Sequence, residues 1–244
     1  EAASDMTVTA LVEFLNGTGS NHAAVSAPGR DILVNTRTDT TAKVFGQIKF
    51  TVDGLSFLST DVKNTMNIAS TVNLGAYTEL SAGNDLSIAA LIGSIYALAS
   101  AYSETGSIIN SQSRPTAEVN VTAKAWIQGA ENAKLSAANL LSLVAATAEN
   151  NNIYTKAYSY GFTAGGTGSV VSKAVNNTKL YGQIDILGDQ SELHGKDIYV
   201  SASAPRESEV QYRKEAKYRA ETVTEFVKQT VERITTTIEK VAEK

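Results

Sequence analysis

Residues Leu187–Ala202 read LGDQSELHGKDIYVSA, and Leu74–Ala89 read LGAYTELSAGNDLSIA. Both carry Leu-Gly, two variable residues, a hydroxyl residue, Glu-Leu, then Gly-x-Asp and an alternating apolar run. A looser copy spans Ile127–Val144, and a fragment, GRDILVN, spans Gly29–Asn35. A phrase written several times must find similar surroundings each time, and a stack of similar units provides them. This constrains the fold more than any bulk property of the chain.

The copies keep a register. Leu80 corresponds to Leu135, and 135 − 80 = 55. Ser81, Ala82, Asn84, Leu86 and Ser87 then match Ser136, Ala137, Asn139, Leu141 and Ser142. Gly29, Gly83 and Gly195 open the Gly-x-Asp copies; 83 − 29 = 54 and 195 − 83 = 112, near twice that step. A second phrase recurs as Phe45-Gly46-Gln47-Ile48-Lys49-Phe50 and Tyr181-Gly182-Gln183-Ile184-Asp185-Ile186. Within the copies the apolar period is two, the signature of strands. Gly, Asn and Asp punctuate them, as turns require. Ala133–Glu149 also fits helical spacing, but its alignment with Leu80–Ala90 reads as strand. Strands of about five residues would make coils of roughly 18–27 residues, two or three to each 55-residue step.

These patterns predict an all-β chain. Residues 1–26 read as an N-terminal capping segment, 27–205 as β-solenoid repeats and 206–244 as a long C-terminal amphipathic α-helix. The last segment has no Gly or Pro, and Val227, Val231, Ile234, Ile238 and Val241 follow 4, 3, 4, 3 spacing, a heptad seam. As a helix it would extend about 50–60 Å and would need a partner, with self-association one option.

The formal charge of −4 argues against nucleic-acid binding, which calls for a basic face. No cysteine is present, which removes disulfides and thiolate metal sites. The chain opens EAASDMTV, without an initiator Met or a signal-peptide pattern, and reads as a mature product or an excised segment. Its most apolar window, Leu86–Tyr102, is interrupted by Ser and Gly and falls short of the roughly 20 residues that span a bilayer.

No catalytic constellation stands out, and neither a cofactor nor a metal is expected. His194 has Ser81 and Ser136 as its counterparts, which suits a solvated corner. Glu192 matches Glu79, and Asp197 matches Asp85 and Asp31, so these acids read as turn caps; Asp185 and Asp189 are the unmatched pair. No Asp-x-Asp-x-Asp-Gly spacing marks a calcium loop. Tyr154, Tyr158, Tyr160 and Phe162 crowd one apparent loop region with Lys156 between them. Exposed, they would stack on sugars or a protein receptor; the competing reading packs half of them on the flank of the coil.

The phrases Gly-Lys-Asp-Ile, Gly-Asn-Asp-Leu and Gly-Arg-Asp-Ile, set in Ser/Thr/Asn/Ala-rich alternation, resemble the shaft of filamentous haemagglutinin-type adhesins. Gly168–Ala204 looks most like the leukotoxin-type filamentous adhesins of Gram-negative bacteria. The resemblance covers about residues 27–204. It implies a right-handed parallel β-helix that is secreted with an outer-membrane partner and displayed on the bacterial cell surface. It further implies a non-enzymatic role, as a stiff stalk whose loops meet a host or bacterial cell-surface receptor or glycan. Two alternatives accompany it: a β-helix carbohydrate-active enzyme of polysaccharide lyase or tailspike glycosidase type, and a segment of a secreted toxin.

Overall fold

The computed structural model of the chain describes residues 1–163, 167–186, 190–205, 213–220 and 234–237. Alternation of inward apolar and outward polar residues makes nearly all of it strand. The first coil holds β1 (Ala2–Phe14), β2 (Ala24–Ala27) and β3 (Ile32–Leu58). The second holds β4 (Asp61–Leu74), β5 (Glu79–Ala82) and β6 (Leu86–Ser113). The third holds β7 (Thr116–Gly129), β8 (Lys134–Ala137), β9 (Leu140–Thr163) and β10 (Thr167–Val170). The fourth holds β11 (Lys173–Ile186), β12 (Glu192–His194), β13 (Asp197–Ser203) and β14 (Arg213–Ala220), with β15 (Ile234–Thr237) antiparallel to β14.

Equivalent strands of successive coils pair in parallel. One sheet runs β1-β4-β7-β11, a narrow one runs β2-β5-β8-β12, and the third contains the long strands β3, β6 and β9. The long strands face the first sheet across the core. Asn64 Nδ2, on β4, donates to Ala42 O at 3.0 Å and Leu98 O at 3.1 Å, while Thr60 Oγ1 reaches Tyr102 O at 3.4 Å. The far part of β6 folds back, since Ser113 Oγ meets Ser103 O at 3.1 Å. At the narrow end Leu74, Leu80, Leu86, Leu135, Leu141 and Leu143 are completely buried. Farther along, Met66, Ala97, Val119, Ala123 and Ile153 form a second apolar cluster.

The corners continue the ladder. Gly75 N donates to Phe14 O, Ala130 N to Leu74 O and Lys134 N to Thr78 O. At the next corner Asp31 Oδ1 accepts from Asp85 N at 3.1 Å and Asn84 Nδ2 at 2.6 Å; one coil on, Asp85 Oδ1 accepts from Leu140 N at 3.1 Å. The recurring acid of Gly-x-Asp therefore caps the backbone of the adjacent coil.

Three expectations are corrected. First, no helix occurs among the described residues. Within the segment assigned to a C-terminal helix, β14 lies parallel to Lys156–Thr163 of β9. Its offset continues that of β13: Ser203 opposes Ala146 and Arg213 opposes Lys156, and 203 − 146 = 213 − 156 = 57. The open edge of β9 supplies a ready hydrogen-bonding partner, and such tertiary pairing overrides a helical pattern. Of the seam residues, Ile234 lies in β15, while Val227, Val231, Ile238 and Val241 lie outside the described residues.

Second, the 55-residue step is one coil, not two or three. Leu80 pairs with Leu135 and Leu86 with Leu141 directly. The long strands were hidden because their inward positions include the hydroxyl residues Thr36, Thr38, Thr40, Ser103 and Thr155, all buried, which weaken the apolar–polar alternation that marks a half-buried strand. Third, the Tyr154–Phe162 stretch is strand, because Ile153, Thr155, Ala157 and Ser159 alternate inward.

At Gly93 a bulge in β6 breaks the register with both neighbouring strands. Thr38 opposes Ile92 and Asp39 opposes Ser94, leaving Gly93 without a partner in β3. Before it the inward residues are Leu86, Ile88, Ala90 and Ile92; after it they are Ile95, Ala97, Ala99 and Ala101. The extra residue changes the parity of the pattern. A Cβ on Gly93 would fall 2.6 Å from both Arg37 Nη2 and Asp39 Oδ1. Asp39 accepts from Arg37 Nε at 3.1 Å and Ser94 Oγ at 2.9 Å. These bonds hold its carboxyl below the usual carboxylate range.

Candidate functional site

Parallel in-register stacking turns scattered residues into rows that run along the stack. On the outside of the long-strand sheet, Lys43, Leu98 and Tyr154 form one row, Phe45, Ser100 and Lys156 the next, and Gln47, Tyr102 and Tyr158 a third. Glu104 opposes Tyr160 beyond them. Tyr154, Tyr158 and Tyr160 are half-buried on one outward face, flanked by their neighbours rather than sunk into the core. The side chain of Phe162 lies outside the described residues.

The rows interlock. Tyr96 and Tyr154 have ring centroids 5.9 Å apart at 54°, a tilted aromatic pair. Lys43 Nζ lies 4.9 Å from the Tyr96 centroid and Lys156 Nζ 6.0 Å from that of Tyr154, within reach of cation–π attraction. Leu98, outward by position, is only 7% exposed. Phe45 stands 63% exposed beside this cluster. Tyr102 donates its hydroxyl to Glu104 Oε2 at 2.9 Å. Partial burial, then that bond and the negative charges of Glu104 and Tyr160, push the phenol up to about 12. The face offers aromatic rings, two ammonium groups and phenolic hydroxyls at positions fixed by the sheet.

A second surface escaped the sequence reading. At the corner between the first and the narrow sheet, a groove of about 480 Å³ crosses four coils. One wall carries Tyr77, Asn132 and Gln190, whose φ values of 62°, 59° and 68° place all three in the left-handed region. The other carries His22, Glu79, Lys134 and Glu192; Glu79, Lys134 and Glu192 are directly in register. His22 Nε2 lies 3.5 Å from Glu79 Oε2, and His194 Nε2 lies 3.1 Å from Glu192 Oε2. The bond to His194, then the charge of Lys134, holds the Glu192 carboxyl below its ordinary value. Lys134 itself makes no ion pair within 4.0 Å among the described residues. Tyr77 and Gln190 sit in the variable positions of the repeat, so recurrence alone gave no reason to single them out.

The chain matches no family model, no curated protein and no solved structure.

Of the other acids singled out, Asp185, Asp31 and Asp85 are occupied structurally. Asp185 Oδ2 accepts from Trp126 Nε1 at 2.8 Å and Gln183 Nε2 at 2.6 Å, and Lys124 Nζ lies over the Trp126 ring, 3.3 Å from its centroid. Asp189 lies outside the described residues. Asp31 and Asp85 are the corner caps described above. Among the described residues there is no group of three or more His, Asp or Glu side chains arranged to hold a metal. His194 opposes Ser136, which opposes Ser81.

Proposed function

We propose that the chain is a structural and adhesive segment of a secreted bacterial surface adhesin of the filamentous haemagglutinin type, acting without catalysis. Four coils whose strands and corners hydrogen-bond to one another make a stiff support, since bending would have to break parallel ladders together. The observation that carries the reading is the Tyr96, Tyr102, Tyr154 and Tyr158 face with Lys43 and Lys156. It is a rigid aromatic surface, spread over three coils, of the kind that gives contact area at low entropic cost. Its partner on this reading is a receptor or glycan on a host or bacterial cell, and export employs an outer-membrane partner. The Gly-x-Asp phrases that carry the resemblance to these adhesins lie at the capped corners, so the resemblance concerns the shaft and the aromatic face supplies the contact.

The test is adherence of beads coated with the purified chain to epithelial and bacterial cells. Coated beads are expected to be retained above uncoated ones, and a Tyr102→Ser/Tyr158→Ser double variant of unchanged circular dichroism should lose most of that retention. Equal retention of coated and uncoated beads on every cell type would remove the adhesive reading.

A further inference from the structure

We infer that the corner groove is a binding site for an extended, neutral oligosaccharide lying along the stack. Spacing favours such a ligand. Parallel coils repeat at about 4.8 Å, so four coils offer equivalent positions over about 14 Å. A β-1,4-linked sugar chain advances by nearly the same step, so successive rings would meet successive coils. The walls supply what sugars need: the Tyr77 ring for a C–H face, the Asn132 and Gln190 amides as donors and acceptors, and the Glu79 and Glu192 carboxylates as hydroxyl acceptors.

Charge selects among ligands. Lys134 stands between two carboxylates, so a polyanion would be repelled at Glu79 and Glu192 and a polycation would meet Lys134 midway. A neutral polyol meets no such penalty, and the Lys134 ammonium, which makes no ion pair within 4.0 Å among the described residues, can donate to a ring hydroxyl. The backbone argues against a peptide strand as occupant. Tyr77 N is bonded to Glu131 O, Glu79 N to Ala23 O, Lys134 N to Thr78 O and Glu192 N to Ala133 O. These donors are already engaged between successive coils, which leaves no place for strand addition within the stack. Recognition falls to side chains, and those present suit hydroxyl groups. The site is separate from the tyrosine face, and its occupancy does not depend on adhesion through that face.

The experiment is calorimetric titration of the chain with cellotetraose and chitotetraose. At least one tetramer is expected to bind saturably and more tightly than its dimer. Tyr77→Asn places in the second coil the residue that Asn132 supplies in the third, so it removes the ring while keeping a side chain suited to the left-handed turn. Tyr77→Asn and Glu79→Gln should each weaken binding about tenfold, or about 1.4 kcal/mol, and Tyr158→Ser should leave it unchanged. The inference is overturned if neither tetramer binds, if dimer and tetramer bind alike, if both groove variants retain full affinity, or if Tyr158→Ser abolishes binding.

Discussion

Leu80 and Leu135 lie one directly above the other in the narrow sheet, partners in register and both without exposed surface. Each is the larger of two inward residues in a four-residue strand that closes the thin end of its coil. Leu135→Ala is expected to destabilise by about 2–5 kcal/mol, the range for a large buried side chain whose cavity cannot collapse. A denaturant titration should show a lower midpoint. Because each coil touches mainly its neighbours, amide exchange should accelerate most in β5, β8 and β12; uniform acceleration over all four coils would contradict this stacking.

Two glycines of one corner should respond differently. A Cβ on Gly83 would fall 1.9 Å from Gly29 N, a backbone atom with nowhere to move, whereas Gly29 has nothing within 4 Å of its Cβ position and a φ of 67°. Gly83→Ala is expected to cost at least about 2 kcal/mol through overpacking. Gly29→Asn should cost under about 1 kcal/mol, because Asn tolerates the left-handed region. Thermal midpoints of the two variants in the opposite order would refute the corner geometry.

Tyr102 predicts an alkaline dependence. Its phenol titrates at about 12 in the fold against an ordinary 10. Between these values the folded chain holds a proton that the unfolded chain has released, so unfolding free energy falls as pH rises. The contribution is complete below about pH 10 and lost as pH passes about 12. Tyrosinate absorbance should show a late-titrating phenol that Tyr102→Phe removes, and the variant should lose less stability over that pH window.

Removing a whole coil should leave a folded chain. Deletion of residues 79–133 takes out 133 − 79 + 1 = 55 residues and joins Thr78 to Lys134, which stands in register with Glu79. The shortened chain is expected to keep a strand-type circular dichroism spectrum and cooperative melting. Deleting half that length should abolish both. If the half-length deletion were tolerated and the full one not, the coil would be shorter than the one described.

The repeat phrase was legible because the residues it fixes are those that must stack: Leu80 on Leu135, Asn84 beside Asn139, Asp31 capping Asp85. Coil size was not. Thr36, Thr38 and Thr40 point inward, yet as polar residues they do not mark a buried face, and only the opposite layer shows that they line one. The tyrosines were visible but their strand was not, because small inward residues such as Ala157 and Ser159 leave a weak alternation. The groove was hidden for a different reason. Tyr77, Asn132 and Gln190 share a backbone conformation, not a side chain, and Glu79, Lys134 and Glu192 become one row only when coils 55 and 58 residues apart are brought into contact. Along Arg213–Ala220 a local charge-rich pattern competed with an unpaired strand edge, and the edge prevailed.

Gly93 shows how such a chain can change in length. Inserting one residue inside a long strand reverses the facing of everything after it until a corner or a second irregularity restores the phase. Insertions in pairs keep the phase, as β9 illustrates: from Thr147 to Asn150 it advances three residues where β3 advances one between Thr38 and Asp39. Viable length variants of these coils should therefore obey an evenness rule within strands and be unrestricted at corners. The long strand behaves as a reading frame, with inside and outside as its two letters.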